Sequence, residues 1–263
     1  MGIFDFFRKK QSLPYVPFEV IETKKGSYDE FHKKLLKNSL ILLIVGKRGS
    51  GKTAFGMKML ELFRKNTRRK CYAVGYESAK LPWWIKKADT IENIPNNAVA
   101  LIDEGGVLFS SREAMKSPNK ALSRIMAIAR HKNLNLILIT QSSAMIDLNV
   151  LRLADTLLLK EPSLLQSKFE RKAIKEMYEK VYPLFKDRKD KNQYTYIWDD
   201  EFEGLVNPVC LISGMMGLAR ALRGFDKSWV NFFISGYQST GQWTFSCVRY
   251  LNCKTKKQLN GKN

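Results

Sequence analysis

Lys52 and Thr53, behind the glycines of Gly46-Lys47-Arg48-Gly49-Ser50-Gly51, are the residues of this chain best placed to do chemistry. Glycines let a backbone turn tightly and aim its N–H groups at one anion, and a helix starting there adds its positive end. In that setting a lysine ammonium reaches the β- and γ-phosphates of a nucleoside triphosphate, and a threonine hydroxyl holds Mg²⁺. Glycine turns ahead of a lysine also arise by chance, so the flanks decide. Before the loop, Leu40 to Val45 is an unbroken apolar run of strand length, as in a strand buried on both faces. After it, Ala54 to Phe63 has helical apolar spacing. Strand, glycine loop and helix together make a nucleoside triphosphate with Mg²⁺ the expected ligand, and Gly46 to Thr53 the candidate binding loop.

A second apolar run, Val99 to Ile102, closes in two consecutive carboxylates, Asp103 and Glu104. Asp103 suits the Mg²⁺ shell through water. Glu104, one residue on, suits a base that activates water at the γ-phosphate. Alone such a pair is a weak signal; downstream of a phosphate loop, among alternating strands and helices, it gains force. It favours hydrolysis over a switch or a small-molecule kinase. A third run, Asn135 to Thr140, ends in Gln141. At the carboxyl end of a strand beside the loop, that amide can sense the γ-phosphate or orient water; a plain loop residue is the alternative.

The elements that must position these groups follow from pattern. Ser27-Tyr-Asp-Glu30 reads as a capping box ahead of a helix from Tyr28 to Leu36. Cys71 to Gly75 reads as a strand, and Pro82-Trp83-Trp84-Ile85 as a core plug in preference to a base-stacking platform. Ser117 as N-cap with Pro118 behind it starts a helix to about Lys132, with Leu122, Ile125, Met126 and Ala129 on one face. A short helical turn from Asn149, a strand from Asp155 to Lys160, a helix over 163–184 and a strand from Gln193 to Trp198 come next. An acidic turn, Asp199 to Glu203, closes the series. Helices between apolar strands predict an α/β fold, a mostly parallel sheet with helices on both faces. Three parts are expected: an extension with a short helix (1–38), the central domain (39–206) and a tail (207–263). The tail holds Cys210, Cys247 and Cys253 with no clean period. It reads either as a shifted frame or late addition, or as a small separate module.

An apolar content of 44% and a charged content of 27% over 263 residues are those of a soluble globular protein. No run approaches the roughly 18 apolar residues of a membrane helix, and no leader pattern is visible, so a cytoplasmic location is expected. The cysteines form no CxxC pair, which argues against zinc or a disulfide framework. A net charge of +20 favours polyanion partners, nucleic acid or an anionic membrane surface, against a merely solvated surface. The cluster Arg64 to Lys70 reads as dipole-complementing cations at a helix end or as a DNA-backbone contact. Phe4, Phe6 and Phe7 before Arg8-Lys-Lys10 offer a membrane or protein contact through residues 1–10, or simply pack on the domain.

With these residues in view, the chain resembles P-loop ATPases of the additional-strand, catalytic-glutamate group, and within it the HerA/FtsK superfamily. That superfamily includes conjugative coupling ATPases, viral packaging ATPases and zonular-occludens-toxin-like ATPases. The resemblance rests on Gly46 to Thr53, on Leu101-Ile-Asp-Glu104, and on Ala129-Arg-His131 leading into Leu136-Ile-Leu-Ile-Thr-Gln141. Arg152-Leu-Ala-Asp155-Thr-Leu-Leu-Leu159 also fits, and about residues 38–206 are covered. It implies a RecA-like P-loop fold, Lys52, Thr53 and Asp103 on nucleotide and metal, Glu104 as base and Gln141 as polar sensor. It implies DNA as the partner of a homo-oligomer, a hexameric ring, with an arginine from the neighbouring subunit completing the site. Arg130 and Arg152 are the candidates. An assembly or secretion ATPase acting on a protein or membrane partner, peripheral to the inner face of a membrane, is the alternative.

Overall fold

The computed structural model describes residues 15–76, 79, 81–103, 118–140, 148–162 and 172–208. The chain divides into two units, Met1–Ser213 and Gly214–Asn263, and every described residue belongs to the first. The expectations for Glu104, Ser117 and Gln141, for residues 1–14 and 163–171, and for the tail beyond Pro208 lie outside the described residues.

Nine strands form one sheet: β1 (Glu19–Gly26), β2 (Ile41–Val45), β3 (Cys71–Val74), β4 (Ile85–Ala88), β5 (Val99–Asp103), β6 (Asn135–Thr140), β7 (Thr156–Leu159), β8 (Thr195–Trp198) and β9 (Phe202–Asn207). Among the described residues five α-helices accompany them: α1 (Tyr28–Lys37), α2 (Lys52–Asn66), α3 (Pro118–His131), α4 (Leu148–Leu153) and α5 (Lys172–Lys186). The spatial order is β1-β9-β8-β7-β2-β6-β5-β3-β4. From β7 to β4 all pairings are parallel; β7–β8, β8–β9 and β1–β9 are antiparallel. The α/β fold with a mostly parallel sheet is as expected. β6 lies between the strand of the glycine loop and the strand of Asp103.

Apolar composition explains the centre. All five residues of β2 and all six of β6 are buried. Ile41, Leu43 and Val45 join Ala121, Leu122, Met126 and Ala129 of α3, Val150 of α4 and Val181 and Phe185 of α5 in one core. On the opposite face α2 comes so close that a Cβ at Gly56 would meet Leu101 Cδ1 at 2.8 Å and Ile139 Cδ1 at 3.0 Å. Helices thus cover both faces, and each buried aliphatic side chain contributes roughly 1.5–3 kcal/mol.

Four expectations need correction. The stretch set apart as an extension is drawn into the sheet: β1 pairs with β9, and α1 buries Phe31 and Leu35. The acidic turn of Asp199 to Glu203 overlaps a strand, because Phe202, Gly204, Leu205 and Val206 are buried in β9. The capping box does not form. Ser27 makes no side-chain cap, and its backbone N–H, which the glutamate of such a box would accept, donates to the Glu201 carbonyl at 2.9 Å. Glu30 pairs instead with Lys33 at 2.8 Å. Finally, Trp83 is no core plug but is 59% exposed, since it precedes β4, the last strand of the sheet.

Asp199 is the joint of the antiparallel side. Its buried carboxylate accepts from Lys34 Nζ of α1 at 2.8 Å, from Thr156 Oγ1 of β7 at 2.5 Å and from the Glu201 N–H at 3.0 Å. Removing one partner of a buried pair leaves the other charge uncompensated. Asp199→Ala is therefore expected to lower unfolding stability by about 3 kcal/mol in urea titration, whereas Lys33→Ala, on an exposed pair, is expected to change it by less than about 1 kcal/mol.

Candidate nucleotide-binding site

β2 delivers the chain into the glycine loop at the carboxyl edge of the sheet, and α2 leaves from it. Gly51 holds the N-cap position with φ 85° in the left-handed region that suits glycine, and a Cβ there would meet the Asn192 carbonyl oxygen at 2.7 Å. At Gly46 a Cβ would meet the Lys160 Cβ at 2.7 Å and Ser50 Oγ at 3.0 Å. The first N–H groups of α2 have no acceptor within the helix and face the loop's concavity. Lys52 is buried, and its ammonium donates to the carbonyls of Gly46 and Lys47, each at 2.8 Å. Ser50 Oγ is buried without a hydrogen-bond partner among the described residues.

β5 brings Asp103 to the same edge across β6. Thr53 Oγ1 donates to Asp103 Oδ2 at 3.4 Å, and Tyr76 Oη donates to the same oxygen at 3.3 Å. The Tyr76 hydroxyl is pushed far above its usual range, first by burial and then by the Asp103 charge, so it stays a donor. A hydroxyl and a carboxylate oxygen converging on one point, beside a glycine cradle and a lysine, form a donor set that fits a polyphosphate with a divalent cation. The fold thus brings Thr53, next to Lys52 in the loop, against Asp103.

Two groups that the sequence reading passed over wall the loop from the far side. Lys160, at the carboxyl end of β7, is 1% exposed and donates to the carbonyls of Asn192 at 2.7 Å and Tyr194 at 2.6 Å and to Thr195 Oγ1 at 3.2 Å. Its backbone N–H reaches the Val45 carbonyl at 2.8 Å, while Glu161 pairs with Lys47 at 2.7 Å and accepts its N–H through the backbone carbonyl at 3.1 Å. A lysine closing an apolar strand at the carboxyl edge was the available signal, since ligands of open α/β sheets bind at that edge. Tyr76 carried no such signal.

The two candidate arginines lie elsewhere. Arg130, at the end of α3, donates to the Leu153 carbonyl at 2.9 Å and to Asp155 at 3.1 Å, and Asp155 in turn accepts from the Ile41 N–H at 2.7 Å. That is the amino edge, a full strand or roughly 16 Å from the loop of its own chain. Arg152, exposed on α4 ahead of β7, sits at the same edge. Neither can complete its own chain's loop.

Burial and, second, the nearby Lys52 ammonium lower Lys160 from 10.5 to about 7. Between those two values the unfolded chain binds a proton that the folded chain does not, so stability rises with pH across that window. Thermal melts at pH 7, 8 and 9 are expected to show wild type gaining on Lys160→Met as pH rises. Parallel curves would mean that Lys160 keeps its charge throughout.

Residues 40–182 match the family described as zonular occludens toxin (Zot). No curated protein is similar to the chain. Among solved structures it is similar to the genome packaging NTPase from Sulfolobus turreted icosahedral virus 2 in complex with AMPPCP, with 15% identity and a TM-score of 0.46 over 65% of this chain and 98% of the other. It is also similar to the pCW3 conjugation coupling protein in its monomer form with ATPγS, with 12% identity and a TM-score of 0.47 over 66% and 61%. A third similarity is to a flagellar accessory protein from Methanocaldococcus jannaschii, with 14% identity and a TM-score of 0.38 over 54% and 81%.

Proposed function

This chain belongs to the zonular occludens toxin (Zot) family, and from that premise we propose that it is an ATP-hydrolysing motor of the HerA/FtsK type that translocates or packages DNA. The observation that carries the reading is the meeting of Thr53 and Asp103 at 3.4 Å beside the Lys52 loop. The loop N–H groups and the Lys52 ammonium bind the β- and γ-phosphates and offset charge on the transferring group. Thr53, and Asp103 through water, would hold Mg²⁺, whose chemistry here is charge neutralisation at phosphate oxygens. Tyr76 orients the Asp103 carboxylate. Glu104, one residue beyond, is the proposed base that takes a proton from the attacking water, and Gln141 the proposed sensor of the γ-phosphate.

Arg130 and Arg152 belong in this reading only as groups given to a neighbouring copy, in a ring that we take to be hexameric. Their position at the amino edge supports a role in trans over one in cis. A net charge of +20 supports a DNA partner through phosphate contacts. We place the protein in the cytoplasm, with residues 1–10 as its candidate contact to a membrane face or protein partner.

Steady-state ATP hydrolysis, with and without DNA over a salt series, tests the reading. DNA is expected to raise turnover, salt to remove that stimulation, and Glu104→Gln to lower kcat by about 10²–10⁴ while nucleotide still binds. Turnover that depends on Glu104 but ignores DNA would transfer the reading to an assembly or secretion ATPase with a protein or membrane partner.

A further inference from the structure

The amino edge of the sheet, at the β4 end, carries a basic and aromatic surface that the nucleotide site does not use. α2 ends at Asn66, where Thr67 caps it with its N–H on the Phe63 carbonyl at 2.8 Å. Only Arg64 and Lys65 lie in the last turn, so complementing the helix dipole cannot account for Arg68, Arg69 and Lys70. Arg69 has a structural use: it is half-buried and donates to the Asn133 carbonyl at 3.4 Å. Arg64, Lys65, Arg68 and Lys70 are exposed. From Leu62 to Tyr76 there is no acid, so nothing in that run offsets their charge.

Strand register brings an aromatic ring to these cations. β3 and β4 run parallel with Cys71 opposite Ile85, which sets the end of the basic run beside the entry to β4. Cys71 Sγ faces α2, on the Leu60 carbonyl at 3.7 Å, so its register partner Ile85 shares the α2 side, and Trp83 lies in the turn that leads into it. The Arg64 guanidinium lies over the Trp83 ring at 5.8 Å from its centre, and Trp83 is nevertheless 59% exposed. An exposed indole beside guanidinium and ammonium groups matches the chemistry of unpaired bases: the ring stacks a base, and the cations take the flanking phosphates. Paired bases in a duplex offer no such face, and an anionic membrane would use the cations without requiring the ring.

We propose that Trp83, with Arg64, Lys65, Arg68 and Lys70, forms a binding surface for single-stranded nucleic acid, one base stacking on Trp83 and its neighbouring phosphates meeting the cations. This deepens the DNA-motor reading and rests on it. Single-stranded nucleic acid here engages the sheet edge opposite the nucleotide loop.

The test uses the full chain, a labelled oligothymidylate, a duplex of the same length and vesicles containing an anionic phospholipid, with binding followed by anisotropy and co-sedimentation. Trp83→Ala is expected to weaken oligothymidylate binding roughly tenfold and to leave duplex binding within a factor of about two, while Trp83→Phe retains most of the affinity. The pair Arg64→Gln and Arg68→Gln is expected to lower the salt slope for the single strand by about 0.7 for each phosphate no longer neutralised. Unchanged thermal melts and DNA-independent ATP turnover in these variants exclude misfolding as the cause. Wild-type affinity for oligothymidylate in both Trp83→Ala and the double variant would overturn the surface while leaving the DNA-motor reading intact. Wild type that binds vesicles but no oligonucleotide would overturn both.

Discussion

Burial of β2 on both faces is the constraint from which the rest of the domain follows. Its five residues are all covered, by α3, α4 and α5 on one side and by the side of α2 on the other. A strand so enclosed cannot slip in register, because a shift of one residue would exchange its two faces. The loop that leaves its carboxyl end is therefore presented at one height, and α2 lies close against Leu101 and Ile139, where a Cβ at position 56 would have to displace their side-chain ends. Parallel neighbours β6 and β7 then bring their own carboxyl ends to the same level. Asp103 arrives across β6, Lys160 directly from β7.

Lys160 gives the antiparallel side a part in this arrangement. Its ammonium binds the carbonyls of Asn192 and Tyr194 and the Thr195 hydroxyl, all at the entry to β8, while its Cβ crowds Gly46. The Asn192 carbonyl is also the atom that a side chain at Gly51 would strike. β8 continues into β9, β9 pairs with β1, and Asp199 fastens α1 through Lys34. A continuous set of polar contacts thus links the N-terminal strand and helix to the wall of the glycine loop. The Lys52 ammonium stands close enough there to raise the cost of charging Lys160.

The sheet separates two chemistries by its polarity. Its carboxyl edge gathers a glycine cradle, Lys52, Thr53 and Asp103. Its amino edge gathers the Arg130–Asp155 pair, exposed Arg152 and, at the β4 end, the cations and indole that follow α2. Parallel pairing enforces this division where it applies, since α2, α3 and α4 each leave a strand at the carboxyl edge and lead to the next, parallel strand at the amino edge. An arginine at a helix end consequently cannot serve its own loop, and a second copy must bring it if it serves any.

By itself the sequence determined the parallel core and the loop, because both are local: unbroken apolar runs mark doubly buried strands, and the Gly46 to Thr53 spacing carries its own geometry. The pairing of Thr53 with Asp103 was legible for the same reason, as each ends or follows such a run. Only the tertiary structure decided the antiparallel side. Phe202 to Asn207 is short, follows a run of acids and contains Gly204, so its strand character comes from pairing with β1 and β8 and not from pattern. Trp83 reads as core by composition and is exposed because β4 is the outermost strand. Tyr76, Lys160 and Asn192 reach the loop through strand order alone, since β3 and β7 stand on opposite sides of β2 and β8 follows β7. Strand order is set by which faces bury together over long separations, and that information is not written in any one stretch of residues.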